Sequence, residues 1–172
     1  LSLTYALCIV HCALAQSAMG SWTTHISYTN VNEITQSEEK VYGISAGALF
    51  SIDKQNEIIE TYSKIYGLND NNIQFIKFSN ENNILFIAYK NSNIDLLTED
   101  GTITNIPDLY RKNMSGSKKV NDICFFENIA YLACDFGITS LDLDKKEFKE
   151  TYITKSEGNA EKILNLTIHS NV

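Results

Sequence analysis

The chain has 172 residues and a formal net charge of −7. Hydrophobic residues make up 44% of it, which is enough to bury a core and excludes an intrinsically disordered chain. The acidic balance argues against non-specific nucleic-acid binding, which requires clusters of Lys and Arg, and no such cluster is larger than Lys118-Lys119. We therefore expect a folded domain with no nucleic-acid partner.

The first predicted element is the apolar run from Leu3 to Leu14. It is shorter than the roughly 20 residues of a membrane-spanning helix, so we expect no membrane span. Ala13-Leu14-Ala15 fits the small-x-small pattern that signal peptidase recognises. Since the chain begins with Leu and has no basic segment before the run, residues 1–15 are interpreted as a signal peptide truncated at its N-terminus. A buried N-terminal strand or helix is the alternative. The protein is expected to be exported to the periplasm or the outer-membrane surface.

The next feature is an internal repeat with a period of about 44 residues. Aromatic residues at 42, 86 and 131 stand in the same local context, so the steps are 44 and 45 residues. Glu60-Thr61-Tyr62 recurs as Glu150-Thr151-Tyr152, two periods later, and a fourth copy starts at Ile163-Leu164-Asn165-Leu166. Repeats of this length indicate a stack of similar structural units.

Each repeat is predicted to contain four short strands, separated by turns rich in Asn and Gly. In the second copy the strands are expected at 73–79, 84–89, 94–98 and 102–106. Leu85-Phe86-Ile87-Ala88 is continuously apolar, as expected of an inner strand that is covered on both faces.

Four-stranded repeats of about 40–50 residues are typical of propellers. Helical solenoids have repeats of similar length, but the Val, Ile, Tyr, Phe and Thr content argues against them. We predict an all-β fold in residues 16–172, a β-propeller fragment of about three and a half four-stranded antiparallel blades. This partial N-terminal propeller is expected to be incomplete at its C-terminus.

Asp53, Asp95 and Asp142 are the first candidates for chemistry, because they lie at or near the third strand of three repeats. A ring of acids would be the functional interpretation. Aspartate at strand ends commonly bonds the backbone amides of the following turn, and we prefer that interpretation. A glycosidase would need two carboxyl groups that face each other in a cleft, which the sequence does not indicate.

Asp135-Phe136-Gly137 matches the magnesium motif of kinases by its letters alone. The kinase glycine-rich loop and catalytic loop are missing from the sequence, so a hairpin turn is predicted instead. His11 lies in the expected signal peptide, and His25 and His169 lie in separate repeats without a nearby Cys, which argues against a metal site. We expect a protein that is not an enzyme, without catalytic, metal or cofactor-binding residues, and we assign no ligand-binding residue.

Cys124 and Cys134 remain after removal of the signal peptide. They could form a disulfide in an oxidising compartment, but their surroundings favour small core residues on two neighbouring strands. Trp22 and Tyr28 follow the expected cleavage site and could stack on a ligand. Packing of their segment on a blade is the preferred interpretation.

Several stretches resemble known propeller families. The segment Gly67–Ile76 is similar to the inter-blade link of propellers from two-component regulators, although Phe86-Ile87-Ala88-Tyr89 replaces the usual Trp-Ile-Gly-Thr. A closer resemblance, from about Trp22 to Tyr152, is to the N-terminal propeller of PorZ-like components of the type IX secretion system of Bacteroidetes. It rests on the runs Trp22-x-x-His25-x-Ser27-Tyr28, Val41-Tyr42-Gly43, Ile87–Leu97, Val120–Ile123 and Ala130–Ile138.

The PorZ resemblance implies a non-enzymatic propeller scaffold at the outer-membrane surface. In that family the propeller helps to attach secreted cargo to the cell surface, and it acts with the sortase and binds anionic lipopolysaccharide. The resemblance to two-component regulators implies an alternative function, a periplasmic propeller that senses a ligand for a hybrid two-component regulator.

Overall fold

A computed structural model describes residues 30–156 and 159–169, most of which form β-strands. The predicted repeats fold as three four-stranded antiparallel sheets, and each sheet keeps its strands in chain order. Blade 1 consists of β1 (Val31–Gln36), β2 (Lys40–Ser45), β3 (Ala48–Asp53) and β4 (Ile59–Tyr62). Blade 2 consists of β5 (Ile73–Ser79), β6 (Ile84–Tyr89), β7 (Ile94–Thr98) and β8 (Ile103–Ile106). Blade 3 consists of β9 (Val120–Phe126), β10 (Ile129–Cys134), β11 (Gly137–Asp142) and β12 (Glu147–Tyr152).

These boundaries confirm the predicted all-β, partial propeller. The first three strands of blade 2 begin and end where the sequence places them, and β8 begins one residue later than predicted. The links between blades carry a 3₁₀ turn (Lys64–Tyr66) and one short helix, α1 (Asp108–Arg111). A small hairpin of β13 (Lys155–Ser156) and β14 (Asn159–Ala160), which the sequence analysis did not predict, follows blade 3.

The tight hairpins of blade 2 place residues of the predicted turns in the left-handed backbone region. Asn83 has a φ of 51° in the turn between β5 and β6, and Ser92 has a φ of 70° between β6 and β7. Gly101 has a φ of 85° in the turn that leads into β8. A side chain in this region normally clashes with its own backbone, which is why Asn and Gly predominate there. The turn signals of the sequence are therefore confirmed.

The core lies between the blades. Leu85, Phe86, Ile87 and Ala88 on β6 are all at most 1% exposed, because blades 1 and 3 cover the two faces of blade 2. Complete burial of a large apolar side chain stabilises the fold by about 1.5–3 kcal/mol. Stacking of the blades therefore stabilises the fold by burying these side chains.

The first strands of the blades are neighbours in space, with β5 in contact with both β1 and β9. Gln74 Nε2 on β5 donates a hydrogen bond to the Val120 carbonyl of β9 at 2.8 Å. One blade later, Asn121 Nδ2 on β9 donates to the Ile163 carbonyl at 2.9 Å. Residues near 163 therefore lie where the first strand of a further blade is expected.

The predicted fourth copy differs from the prediction in one respect. The chain from 161 to 169 is not a β-strand, although it lies against β9. Antiparallel strands need a partner that supplies alternating backbone hydrogen bonds, and no described strand pairs with this segment. The segment is instead held by isolated bonds, such as Leu166 N–H to Asp122 Oδ2 at 2.9 Å.

Several expectations concern residues outside the described part of the chain. They are the signal peptide of residues 1–15, His11, His25, Trp22 and Tyr28. Within 30–156 and 159–169, no helix has the length and apolar character required to cross a membrane.

Candidate binding surface between the blades

Asp53 and Asp142 occupy equivalent positions at the ends of β3 and β11. Asp53 Oδ1 accepts backbone N–H groups of the following turn at 2.9 and 3.0 Å. Asp142 Oδ1 does the same at 3.1 and 3.0 Å, and its Oδ2 pairs with Lys149 at 2.8 Å. Hydrogen bonds from the backbone, led by Lys145 at Asp142, lower the pKa of both carboxyl groups. Their predicted role in turns is confirmed.

Asp95 does not belong with those two aspartates. It lies near the start of β7 and is fully buried. It accepts hydrogen bonds from Tyr89 Oη at 2.5 Å, from Asn69 N–H at 2.8 Å and from Asn105 Nδ2 at 2.8 Å. The sequence analysis grouped it with Asp53 and Asp142 by strand, but its partners join the preceding link to two strands of blade 2. Asp95 is therefore the centre of a buried network and not part of a ring of acids.

The Asp135-Phe136-Gly137 segment is the predicted hairpin turn, between β10 and β11. Asp135 Oδ1 accepts a hydrogen bond from Asn121 Nδ2 at 2.9 Å and lies 3.4 Å from Lys162 Nζ. Gly137 has a φ of 132°, a conformation that requires glycine. This aspartate therefore fixes a turn against the next segment of the chain.

Cys124 and Cys134 are free thiols on neighbouring strands, β9 and β10. Cys124 faces Tyr131 across the ladder and Cys134 faces Val120, so the two are not cross-strand partners. Cys134 is a fully buried core residue, as predicted, whereas Cys124 is half-buried. His169 is exposed, and in the described part of the chain no three His, Cys, Asp or Glu side chains are grouped to hold a metal.

A cleft of about 540 Å³ opens between blade 1 and blade 2. On the blade 1 side it is lined by Tyr42 and Tyr62, and Tyr66 of the adjoining 3₁₀ turn contributes a third ring. On the blade 2 side it is lined by the hairpin between β7 and β8, which carries Glu99 and Asp100. The sequence analysis did not predict this site, because its residues come from repeats that are distant in the sequence.

Glu60 interacts with both a lysine and a tyrosine that line this cleft. Its Oε2 lies 2.6 Å from Lys40 Nζ and accepts a hydrogen bond from Tyr62 Oη at 3.1 Å. The bond with Lys40 lowers the pKa of the Glu60 carboxyl and raises the pKa of the lysine. Burial raises the pKa of Tyr42 and of Tyr62. Both phenols therefore remain protonated at neutral pH and can donate hydrogen bonds.

The same constellation recurs in blade 3. Tyr42 pairs across the sheet with Ser51, and Ser51 with Glu60. In blade 3 the corresponding residues are Tyr131, Ser140, Glu150 and Tyr152, where Tyr131 faces Ser140 and Tyr152 Oη donates to Glu150. In the sequence this constellation was visible as the recurrence of Glu-Thr-Tyr and of the aromatic residues at 42 and 131. In blade 2 the equivalent positions hold Phe86, Leu96, Thr104 and Ile106, which pack largely in the core.

A second charged group lies on the first strands, nearer the centre of the stack. Lys77 Nζ on β5 lies 3.3 Å from Asp122 Oδ1 on β9, and Glu33 on β1 is close enough to interact with both. Partial burial raises the pKa of Glu33, Lys77 opposes that shift, and Asp122 reinforces it. These three side chains interact electrostatically across three blades. They do not place two carboxyl groups opposite each other in a cleft.

The comparisons with known proteins agree with this architecture. Residues 41–170 match the family model described as the PorZ N-terminal β-propeller domain of TSS9. The chain belongs to this family. The PorZ-like resemblance predicted from the residues is thereby confirmed, and the protein is a propeller of a family tied to the type IX secretion system.

A solved PorZ structure from Porphyromonas gingivalis, described as an essential bacterial surface component of the type-IX secretion system, is 30% identical, with a TM-score of 0.72. The match covers 77% of this chain and 18% of that PorZ, so the chain spans less than a fifth of it. No curated protein matches the chain.

Two further structures resemble the PorZ-family chain at 14% identity, which shows the fold alone. The computationally designed Ika4 protein matches over 89% of both chains with a TM-score of 0.61. The extracellular domain of a protein assigned as a hybrid two-component system in B. thetaiotaomicron covers 77% of this chain with a TM-score of 0.60. The sensor alternative therefore has weaker support than the PorZ relationship.

Proposed function

We propose that the protein is a non-enzymatic, exported propeller that serves as a docking scaffold for other components of the type IX secretion system. The observation that carries the proposal is the family match over residues 41–170, together with 30% identity to a PorZ that is described as a surface component of that system. Propellers present loops at both ends of a rigid stack, which suits protein binding.

The chemistry of the described residues supports a scaffold. Asp53 and Asp142 are engaged in turns, and Asp95 is enclosed in a buried network. A hydrolase or lyase needs a base or nucleophile that faces a cleft and an arrangement that stabilises developing charge. These three carboxylates are instead committed to structure.

The family resemblance extends the proposal to the attachment of secreted cargo at the cell surface, with the sortase and anionic lipopolysaccharide as partners. The same resemblance supports export with residues 1–15 as the signal peptide. Mass spectrometry of the mature N-terminus tests this part, because cleavage is expected before Gln16. A mature chain that retains residues 1–15 would contradict it.

The scaffold role is tested by disruption of the complete gene in its source bacterium. The fraction of cargo bound to the outer membrane is compared with the fraction released into the medium. We expect cargo to move into the medium or to accumulate inside the cell, and the wild-type gene to restore attachment. Unchanged surface attachment in the disrupted strain would refute the secretion role.

The sensor alternative is tested by the complete reading frame around the chain. A second propeller and a C-terminal β-domain without a membrane helix would agree with the scaffold. A span of about 20 apolar residues followed by a kinase domain would establish a sensor instead.

A further inference from the structure

We propose that the cleft between blades 1 and 2 binds a cationic side chain, lysine or arginine, from a partner protein. The proposal concerns the walls of this cleft and does not rest on the secretion role. The cleft is lined by the tyrosine rings at 42, 62 and 66 and by the carboxylates Glu60, Glu99 and Asp100.

Two of the tyrosine rings that line the cleft differ in their surroundings: Tyr42 is held in place, and Tyr66 is exposed. Tyr42 is held by stacking on Phe78 of blade 2, with ring centroids 5.9 Å apart and the planes 13° from parallel. Tyr66, at the entrance, is 58% exposed and free to meet a ligand. The face of an aromatic ring attracts ammonium and guanidinium groups when they lie within about 6 Å of its centre. The cleft therefore has a fixed, buried ring at its base, and Tyr66 is the ring that a ligand can reach.

The charges in the cleft favour a cation. Lys40 is the one lysine in the lining, against three carboxylates, and it is already paired with Glu60. Asp100 is occupied by hydrogen bonds from its own turn, including one from Thr98 Oγ1 at 2.5 Å. Glu99 is exposed and makes no hydrogen bond or salt bridge with any described residue. An anionic ligand would be repelled by these carboxylates, whereas a cationic ligand would form an ion pair with Glu99.

The fold does not require this constellation. Blade 3 repeats it with Tyr131, Ser140, Glu150 and Tyr152, whereas blade 2 has Phe86, Leu96, Thr104 and Ile106 at the same positions. Blade 2 packs well against blade 3 with that mainly apolar set. The polar, aromatic set on blade 1 leaves a cleft where an apolar set would close the gap.

The position of the cleft suits a protein ligand. Glu60, Thr61 and Tyr62 on β4 form part of the lining, and β4 is the outer strand of blade 1, paired only with β3 among the described strands. Ile58 and Ile59, 57% and 49% exposed, lie on the same edge. An extended segment of a partner can contact this apolar edge while one basic side chain enters the cleft.

The test is a titration of the protein, followed by NMR, with N-acetyl-arginine amide and N-acetyl-lysine amide. N-acetyl-citrulline amide is the matched neutral probe, and maltose tests for a sugar site. We expect saturable binding of the two cations, weakened by 0.5 M salt, and no binding of citrulline or maltose. Equal binding of citrulline, binding of maltose instead, or no saturable binding of either cation would overturn the proposal.

Variants connect the binding to the named groups. Glu99→Gln and Tyr66→Ala should each weaken cation binding by about threefold or more, since both lie at the open end of the cleft. Glu81→Gln, which removes an exposed charge outside the cleft, should leave the affinity unchanged. Tyr66→Phe keeps the ring and should bind like the wild type. If Glu99→Gln had no effect, or Tyr66→Phe lost as much affinity as Tyr66→Ala, the assignment would be wrong.

Discussion

Tyr89 Oη donates a hydrogen bond to Asp95 Oδ2 across 2.5 Å, and the two side chains are only 1% and 0% exposed. Two asparagines donate to the same carboxylate, Asn69 from the link before blade 2 and Asn105 from its outer strand. Burial and the bond to Asp95 raise the pKa of the Tyr89 phenol well above its usual range. The network therefore joins three segments of the chain around one buried carboxylate.

We predict that Asp95→Ala lowers the free energy of unfolding by about 3–5 kcal/mol, because it leaves several buried donors without an acceptor. Tyr89→Phe removes a single donor and should cost about 1.5 kcal/mol. Urea denaturation of the two variants measures both losses. A loss in Tyr89→Phe equal to or greater than the loss in Asp95→Ala would show that the carboxylate is not the centre of the network.

Gly137 is predicted to tolerate no side chain. A Cβ at this position would lie 2.1 Å from the Tyr152 carbonyl oxygen, which is backbone and cannot move aside without disturbing β12. We expect Gly137→Ala to lower the free energy of unfolding by about 2–4 kcal/mol. Gly101→Ala is the matched control, since its φ is also positive, at 85°, but no atom lies within 4 Å of the added Cβ. It should cost about 1 kcal/mol. Equal losses at the two positions would mean that the close approach of Gly137 to β12 does not determine the cost of the substitution.

Glu33 should make the stability of the protein depend on pH. Its folded-state pKa is raised above the ordinary 4.5, first by burial, so folding favours the protonated form. Its contribution to stability is therefore full below pH 4.5 and is lost as the pH rises through the folded-state pKa. Glu33→Gln should raise the melting temperature at pH 7 and leave it nearly unchanged at pH 3.5. Glu39→Gln, in the exposed turn after β1, is the control and should show no such difference. A greater gain at pH 3.5 than at pH 7 would contradict this account.

The two described cysteines should differ in reactivity. Burial, aided by the charge of Asp135, raises the pKa of the Cys134 thiol to about 12. The thiolate is the reactive form, so iodoacetamide at pH 8 should modify half-buried Cys124 and spare Cys134 until the protein is denatured. Peptide mapping by mass spectrometry distinguishes the two sites. Comparable labelling of both in the folded protein would show that blade 3 opens readily.

The strands of blade 2 could be predicted almost to the residue, because a local signal marks each end. The strand at 84–89 is a continuous apolar run, and the turns before and after it contain asparagine, which accepts the backbone that a tight hairpin needs. The predicted fourth copy, which starts at 163–166, forms no strand among the described residues, because a strand also requires a neighbour to pair with, and its residues cannot supply that themselves.

The candidate site could be predicted only in part. The recurrence of Glu-Thr-Tyr was visible in the sequence, but the bond from Tyr62 to Glu60 depends on two side chains that point to the same face of β4. Glu99 and Tyr66 line the same cleft although they come from different repeats, and no local sequence pattern indicates that they share it. Asp95 was misgrouped for a similar reason, since it lies near the start of β7, whereas the two turn aspartates lie at the ends of their strands.

The joints between successive blades have an evolutionary consequence. Gln74 and Asn121 each reach a backbone carbonyl of the following repeat, at Val120 and at Ile163. Every amino acid has a backbone carbonyl, so these hydrogen bonds can form whichever residue occupies the accepting position. A repeat could thus be duplicated, exchanged or changed in sequence while the hydrogen bond from its neighbour was retained. Such tolerance lets a gene lengthen by duplication before its new units acquire separate roles.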